Sequence, residues 1–236
     1  MNRNRGTKPK SAKQFVRIDS KSAIMEAYRI ARTNIEFSDS GNNKVILLTS
    51  ALQDEGKSTT VSNLARAFAQ SGYRTLLIDL DLRKPVLHKI FDRSGTIGVT
   101  SIITNKAKIS EAIQTTDDAN LYLLASGIRP MNPAEFLRSP SMENLLRFLR
   151  KKFDVILLDS PPAMAIADAA IISTYADSTI LVTAAGRIDY RCIQQAITNL
   201  KNVNANIIGC IINNMKAKDS SYKYKNYYYY SNYKYK

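Results

Sequence analysis

The chain has 236 residues, 44% hydrophobic and 23% charged, enough for one α/β domain with a sizeable core. Its net charge of +14 is carried at the ends, +6 over residues 1–22 and +5 over residues 216–236, leaving a nearly neutral middle. This distribution argues against a nucleic-acid-binding body. Two cysteines, Cys192 and Cys210, exclude a disulfide framework and are expected in the core, in a reducing compartment. No apolar stretch follows the basic residues Arg3 to Arg17, so no signal peptide is expected. The most apolar segment, 163–186, is broken by Asp168 and Asp177, and a membrane span needs about 20 apolar residues. The expectation is a soluble, cytoplasmic protein.

In chain order, residues 1–18 read as a flexible basic arm. Residues 20–37 read as a helix with Ala23, Ala27, Ile30, Ala31 and Ile35 on one face, and Glu26, Arg29 and Arg32 on another. Val45–Leu48 begins a series of short apolar runs that continues with 75–78, 121–124, 155–158, 179–182 and 207–212. Such runs suit strands buried on both faces of a parallel sheet. Helical patterns occupy 58–71, 84–91, 108–115, 140–152, 166–175 and 189–203. Alternation of this kind predicts a three-layer α/β fold with a mostly parallel sheet and helices on both faces. Beyond Met215 there is no Leu, Ile, Val, Met or Phe, so residues 217–236 are expected to remain disordered. The folded domain is placed at 19–216.

The first strand leads into Ala51-Leu52-Gln53-Asp54-Glu55-Gly56-Lys57-Ser58-Thr59, a Walker A loop in strand–loop–helix context. Gly56 allows close approach of backbone to phosphate, Lys57 supplies a cation, the Ser58 hydroxyl suits Mg²⁺, and the helix that follows presents its positive end. Residues 54–59 are therefore the candidate nucleotide-binding segment. Asp54 is a departure, an acid beside the phosphates where Gly is common. Asp159, at the end of the fourth run, occupies the Walker B position for Mg²⁺. The second run ends Asp79-Leu80-Asp81-Leu82-Arg83. Alternation along an extended strand predicts both carboxylates on one face, one available as a base while the other serves a metal. The competing reading of Asp79 is a helix cap or a group behind the metal ligands. Arg83 and Lys84 either steady this site or are solvated. Asp168 reads as a helix cap, and the single histidine, His88, as structural. No Cys/His metal cluster or Ser-His-Asp set can be assembled.

Asp79-x-Asp81-x-Arg83 resembles the Walker A′ motif of the bacterial tyrosine kinases, P-loop enzymes related in fold to the MinD/ParA ATPases. Glu26-x-x-Arg29-x-x-Arg32 followed by Thr33-Asn34, the segment Asn132-Pro133-Ala134-Glu135-Phe136-Leu137-Arg138-Ser139, and Asp159-Ser160-Pro161-Pro162 are similar to further motifs of that family. The resemblance implies a P-loop NTPase fold and transfer of the γ-phosphate of ATP to tyrosine, including tyrosines of the chain's own tail. It implies that Lys57 holds the phosphates, that Ser58, Asp81 and Asp159 serve Mg²⁺, and that Asp79 activates the tyrosine hydroxyl. It places Asn213 against the adenine. It makes Glu26, Arg29 and Arg32 a head-to-tail interface closing into a homo-oligomeric ring, an octamer when unphosphorylated. It further implies a separate membrane-anchored activator protein that recruits the chain to the inner face of the membrane. A cognate tyrosine phosphatase and a role in regulating capsular or extracellular polysaccharide synthesis complete the picture.

Eight of the thirteen tyrosines lie in the last fifteen residues: Tyr222, Tyr224, Tyr227, Tyr228, Tyr229, Tyr230, Tyr233 and Tyr235. They are read as phosphate acceptors. A stacking surface for single-stranded nucleic acid is the competing reading of tyrosines interleaved with lysines. For the whole chain the alternative is a MinD/ParA-like ATPase switch without kinase chemistry. The paired Asp79 and Asp81 and the tyrosine tail argue against it.

Overall fold

The computed structural model describes residues 22–38 and 43–215. The basic arm and the tyrosine-rich tail, with all eight candidate acceptors, lie outside the described residues. Among them, seven strands form one sheet in the order β3-β4-β2-β5-β1-β6-β7. In chain order the elements are α1 (Ala23–Glu36), β1 (Val45–Ser50), α2 (Lys57–Gln70), β2 (Thr75–Asp79), α3 (Leu87–Ile90), α4 (Val99–Ile103) and α5 (Ile109–Ala112). They continue with β3 (Ile113–Thr115), β4 (Leu121–Leu124), α6 (Pro133–Leu137), α7 (Pro140–Leu149), β5 (Val155–Asp159), α8 (Asp168–Ser173), β6 (Ser178–Ala184), α9 (Tyr190–Lys201) and β7 (Ile207–Asn213).

All strand pairs are parallel except β3 with β4. The central strands are buried on both sides because alternate residues serve two cores. Ile46, Leu48, Leu77, Leu157 and Ile180 pack beneath α1 and α2, in a cluster with Met25, Tyr28, Leu64 and Phe68. Val45, Leu47, Leu76, Ile78, Ile156 and Leu158 face the other way, toward Leu137, Leu146 and Leu149 of α6 and α7. The three-layer expectation holds.

Four details differ from the sequence reading. The helix expected over 108–115 ends at Ala112, and Ile113–Thr115 form the antiparallel edge strand β3. The short helices α4 and α6 were not expected. On α1 the buried residues are Met25, Tyr28 and Ile35, while Ala23 and Ala27 are exposed. The helix is rotated because its larger apolar side chains take the core-facing positions. Finally, β7 is an edge strand with one uncovered face, so Cys210 is exposed and Cys192, on α9, is half-buried; neither is a core residue.

Candidate active site

Parallel pairing places the chemically distinctive residues at one end of the sheet. Asp79 and Asp159 are the last residues of β2 and β5 and are paired in register, and Leu48 of β1 pairs with Asp159 on the other side. Neighbouring strands lie about 4.8 Å apart. The loop after β1 is thereby set beside both acids, at the carboxyl ends of the strands where open α/β sheets bind ligands. Two hydroxyls fasten this end: Thr49 donates to the carbonyl of Pro161 at 2.9 Å, and Ser160 to that of Leu48 at 3.2 Å.

Gly56 stands at the N-cap of α2 with φ +84°, and no side chain caps the helix. The first-turn N–H groups of a 14-residue helix therefore point into the loop, with the positive end of the helix dipole behind them. A Cβ on Gly56 would lie 2.1 Å from Nδ2 of Asn213, so φ favours glycine and any larger residue would displace the Asn213 side chain. Asn213, the end of β7, thus packs on the loop, its Nδ2 donating to the carbonyl of Glu55 at 3.4 Å. Asp54, the departure from the usual glycine, has φ +62°. The left-handed conformation explains why glycine is common there, and aspartate is among the few residues that tolerate it. The Glu55 side chain is committed to the fold. It accepts from the N–H groups of Leu52 at 2.6 Å and Ala184 at 3.2 Å, so only its backbone is presented to the loop. Thr59 is exposed one position beyond Ser58, which lies half-buried at the helix start.

Lys57 reaches across to the acids. Its Nζ lies 3.5 Å from Asp159 Oδ1, 3.8 Å from Asp81 Oδ2 and 3.3 Å from Ser58 Oγ. Burial by itself lowers the pKa of this ammonium, but Asp159, Asp81 and Asp79 outweigh it and hold it above its ordinary value. Asp79 is fully buried and accepts three backbone N–H groups: Asp81 at 3.2 Å, and Val86 and Leu87 at 3.0 Å each. Burial and the neighbouring Asp159 push its carboxyl up to about 8, against the pull of the Leu87 and Val86 donors. Asp159 is fully buried and is also raised, first by burial, with the Lys57 charge opposing. Neither of its carboxylate oxygens has a hydrogen-bond partner.

Contrary to the expectation from an extended strand, alternation does not set Asp79 and Asp81 on one face. β2 stops at Asp79, and Leu80 and Leu82 both turn into the core. The chain folds back so that the N–H of Asp81 meets Asp79, and Asp81 Oδ1 in turn accepts from Lys84 N–H at 2.9 Å. The turn, not strand alternation, brings Asp81 to Lys57, while Asp79 stays on the backbone N–H groups behind it. Asp79 also carries the capping role weighed for it, since its Oδ2 satisfies the first donors of α3. Arg83 is engaged elsewhere, in a two-pronged pair with Asp168 at 2.8 and 3.1 Å. Asp168 is the first residue of α8 and fully buried, an ion-pair partner rather than the expected cap. Lys84 donates to Gln53 of the loop at 3.1 Å. His88 has a buried, unpartnered Nδ1 and a pKa lowered by burial, as fits a structural residue.

Among the described residues, Lys57 is the one cation paired with this acidic cluster, so with Asp79, Asp81 and Asp159 all ionised two negative charges stay uncompensated. A divalent cation fits this deficit and the oxygens of Asp159, which accept no hydrogen bond. Among the described residues no three His, Cys, Asp or Glu side chains form a complete metal cage. That suits Mg²⁺, which keeps water and takes phosphate oxygens beside one or two protein ligands. Arg187 was not singled out in the sequence. It follows β6 and its Nη1 donates to the carbonyl of Asp54 at 3.2 Å, at the mouth of the loop. The only signal for it was topological, because β6 borders β1.

On α1, Glu26 and Arg29 form an exposed pair at 2.8 Å. Arg32 departs from that stripe: it lies against α2, with Nη1 3.4 Å from the Ala67 carbonyl and Nε 3.4 Å from Glu36.

The AAA domain family matches residues 43–214. The chain is 40% identical over 208 residues to tyrosine-protein kinase YwqD of Bacillus subtilis, covering 87% of this chain and 88% of the relative. It is 36% identical over 204 residues to tyrosine-protein kinase CpsD of Streptococcus agalactiae, covering 86% and 89%. Among solved structures, the chimerical protein CapA2B2 superposes with a TM-score of 0.81 at 32% identity, covering 83% of this chain and 86% of that one. With the acidic, P-loop-bordered site and this match along most of its length, the chain belongs to the bacterial tyrosine kinase family.

Proposed function

We propose that the protein is an ATP-dependent protein-tyrosine autokinase that phosphorylates its own C-terminal tyrosine cluster. The observation that carries this reading is the placement of a second buried acid, Asp79, in register with the metal-type acid Asp159 beside the phosphate loop. An ATPase switch needs the loop and one acid; a transferase to a phenol also needs somewhere for the phenolic proton to go. A free tyrosine has a pKa near 10, so little phenolate exists at neutral pH. Asp79 is a buried carboxylate beside this site and, when ionised, can take that proton.

In this reading the α2 N-terminus, Lys57 and the backbone of residues 54–59 bind the phosphates of ATP, and Asn213 lines the base. Ser58, Asp81 and Asp159 hold Mg²⁺, whose charge supports phosphoryl transfer when it is bound. Lys57 leaves its carboxylate partners to follow the transferred phosphate.

The same reading includes a ring assembled through Glu26, Arg29 and Arg32, an octamer when unphosphorylated, a membrane-anchored activator, a cognate phosphatase, and control of capsular or extracellular polysaccharide synthesis. No helix among the described residues is long and apolar enough to cross a membrane; in this reading the activator recruits the chain to it. The test is incubation of the purified protein with labelled ATP-Mg²⁺ and the activator's cytoplasmic segment. Label is expected on tyrosines of 222–235 and lost in Lys57→Met. Phosphate release without labelled tyrosine would instead establish the ATPase switch.

A further inference from the structure

At the end of the sheet opposite the phosphate loop lies an open groove of about 1010 Å³. Its floor is set where strands begin: Arg74 immediately precedes β2, Tyr122 is the second residue of β4, and Phe153 lies two residues before β5. The α4–α5 connection supplies Lys106 and Lys108, and the end of α7 supplies Phe148 and Lys152. Four cations and one acid, Glu111, thus share a wall with three aromatic rings.

The cations are exposed, and none is paired with a carboxylate among the described residues. The two nearest acids are already engaged by backbone: Glu111 accepts from Lys108 N–H at 3.0 Å, and Asp154 from Arg74 N–H at 2.8 Å. The Arg74 guanidinium is held over two rings, 5.0 Å from the centre of Phe153 and 5.4 Å from that of Tyr122. Lys152 Nζ lies 5.9 Å from the centre of Phe148. Stacking of this kind fixes a guanidinium with its edge donors available, the geometry that suits a bidentate phosphate contact. Nothing in the active site uses these residues, and their surplus positive charge favours an anionic ligand that also carries rings.

We propose that this groove binds the phosphorylated form of residues 221–236 of this same chain. The proposal rests on the reading of those tyrosines as acceptors. Charge complementarity favours this occupant over others. Unmodified, residues 216–236 carry +5 and are repelled by the groove. Each phosphotyrosine adds about −1.5 to −2, so modification of Tyr227 to Tyr230 turns that segment to about −1 to −3. Phosphotyrosine is also a ring bearing a dianion, matching the pairing of cations with aromatic faces. Length permits it as well. The chain leaves the sheet after β7, at the far edge and the opposite end. Crossing the four to five strand spacings to β2 and β4 is about 19–24 Å and descending a strand about 13–20 Å, and the 12 to 15 residues from Met215 to Tyr227 and Tyr230 extend to about 40–54 Å. Docking there removes the finished acceptor from the ATP end of the sheet and leaves that site open.

The test uses the full chain without ATP and a fluorescent synthetic peptide of residues 221–236, either unmodified or phosphorylated at Tyr227 to Tyr230. Anisotropy is expected to report binding of the phosphopeptide at least tenfold tighter than the unmodified peptide. Lys106→Glu with Lys152→Glu should weaken it at least tenfold, with circular dichroism and ATP binding unchanged. Equal binding of both peptides, or phosphopeptide binding indifferent to the double charge reversal, overturns the proposal. So does loss, in that variant, of binding to phosphatidylserine vesicles when the wild type binds no phosphopeptide, which would make the groove a membrane contact. Because the phosphates are introduced synthetically, failure of the kinase reading leaves this measurement intact and is seen separately as absence of tail labelling from ATP.

Discussion

Two residues carry most of the tension in the site. Asp54 combines a left-handed backbone, which costs folding stability, with an acid beside the expected phosphates, which opposes ATP binding. Glycine relieves both, the backbone strain being about 1 kcal/mol. Asp54→Gly is therefore expected to tighten ATP about three- to tenfold by calorimetry; unchanged or weaker binding would show that the carboxylate contributes favourably. Asp79 has the opposite character, a buried acid whose charge is disfavoured by burial and by Asp159. Its folded pKa, about 8, lies above the unfolded value near 3.9. The sign follows: the protonated form is favoured by folding, so this contribution is complete below pH 4 and is lost as pH rises through 8. Denaturant midpoints of the nucleotide-free, metal-free protein should fall between pH 6 and pH 9, and Asp79→Asn should flatten that slope. Parallel curves for the two proteins would remove the buried-acid account. The sequence identified Asp79, Asp81 and Lys57 by motif. It could not give the fold-back that joins them, because turn geometry depends on Val86 and Leu87 presenting their N–H groups to Asp79.

At the level of elements, the six apolar runs were readable because each strand meets a core on both faces or lies beside one that does. β3 was not, since Ile113-Gln114-Thr115 is too short to show alternation and continues a helical pattern. β7 shows the limit of the run argument: Ile207–Ile212 reads as doubly buried, yet at a sheet edge one face remains open. The rotation of α1 was hidden for a related reason, since alanines carry little information about which face is inward. The Arg83–Asp168 pair is an element-level device, tying the loop after β2 to the start of α8. Sequence showed the two residues but not their meeting across 85 positions. Arg83 is partly exposed, so solvent discounts the pair, and Asp168→Asn should cost about 1–2 kcal/mol in chemical denaturation. Arg83→Lys should not restore it, because an ammonium cannot make the two-pronged contact. Full stability in either variant would reduce the pair to a surface contact.

Across the whole molecule, the sheet order makes one end the proposed phosphoryl-transfer site and leaves a basic, aromatic groove at the other. The active-site end was legible because its residues sit in contiguous motifs. The groove was not, because Arg74, Lys106, Tyr122 and Lys152 are brought together only by strand order. The assembly reading is also sharpened. Glu26→Ala with Arg29→Ala removes an exposed pair and should convert a large assembly to smaller species in light scattering without changing the melting temperature. Arg32→Ala removes packing against α2 and should lower the melting temperature as well. An unchanged mass for the first variant would eliminate the interface. The most direct test of the central claim is Asp79→Asn, followed by two readouts: ATP affinity, and phosphotyrosine formed in residues 222–235. The account predicts ATP binding within about threefold of wild type, with tail phosphorylation reduced at least a hundredfold, within the range of a lost general base. Tail phosphorylation at the wild-type rate, with ATP binding intact, would contradict it.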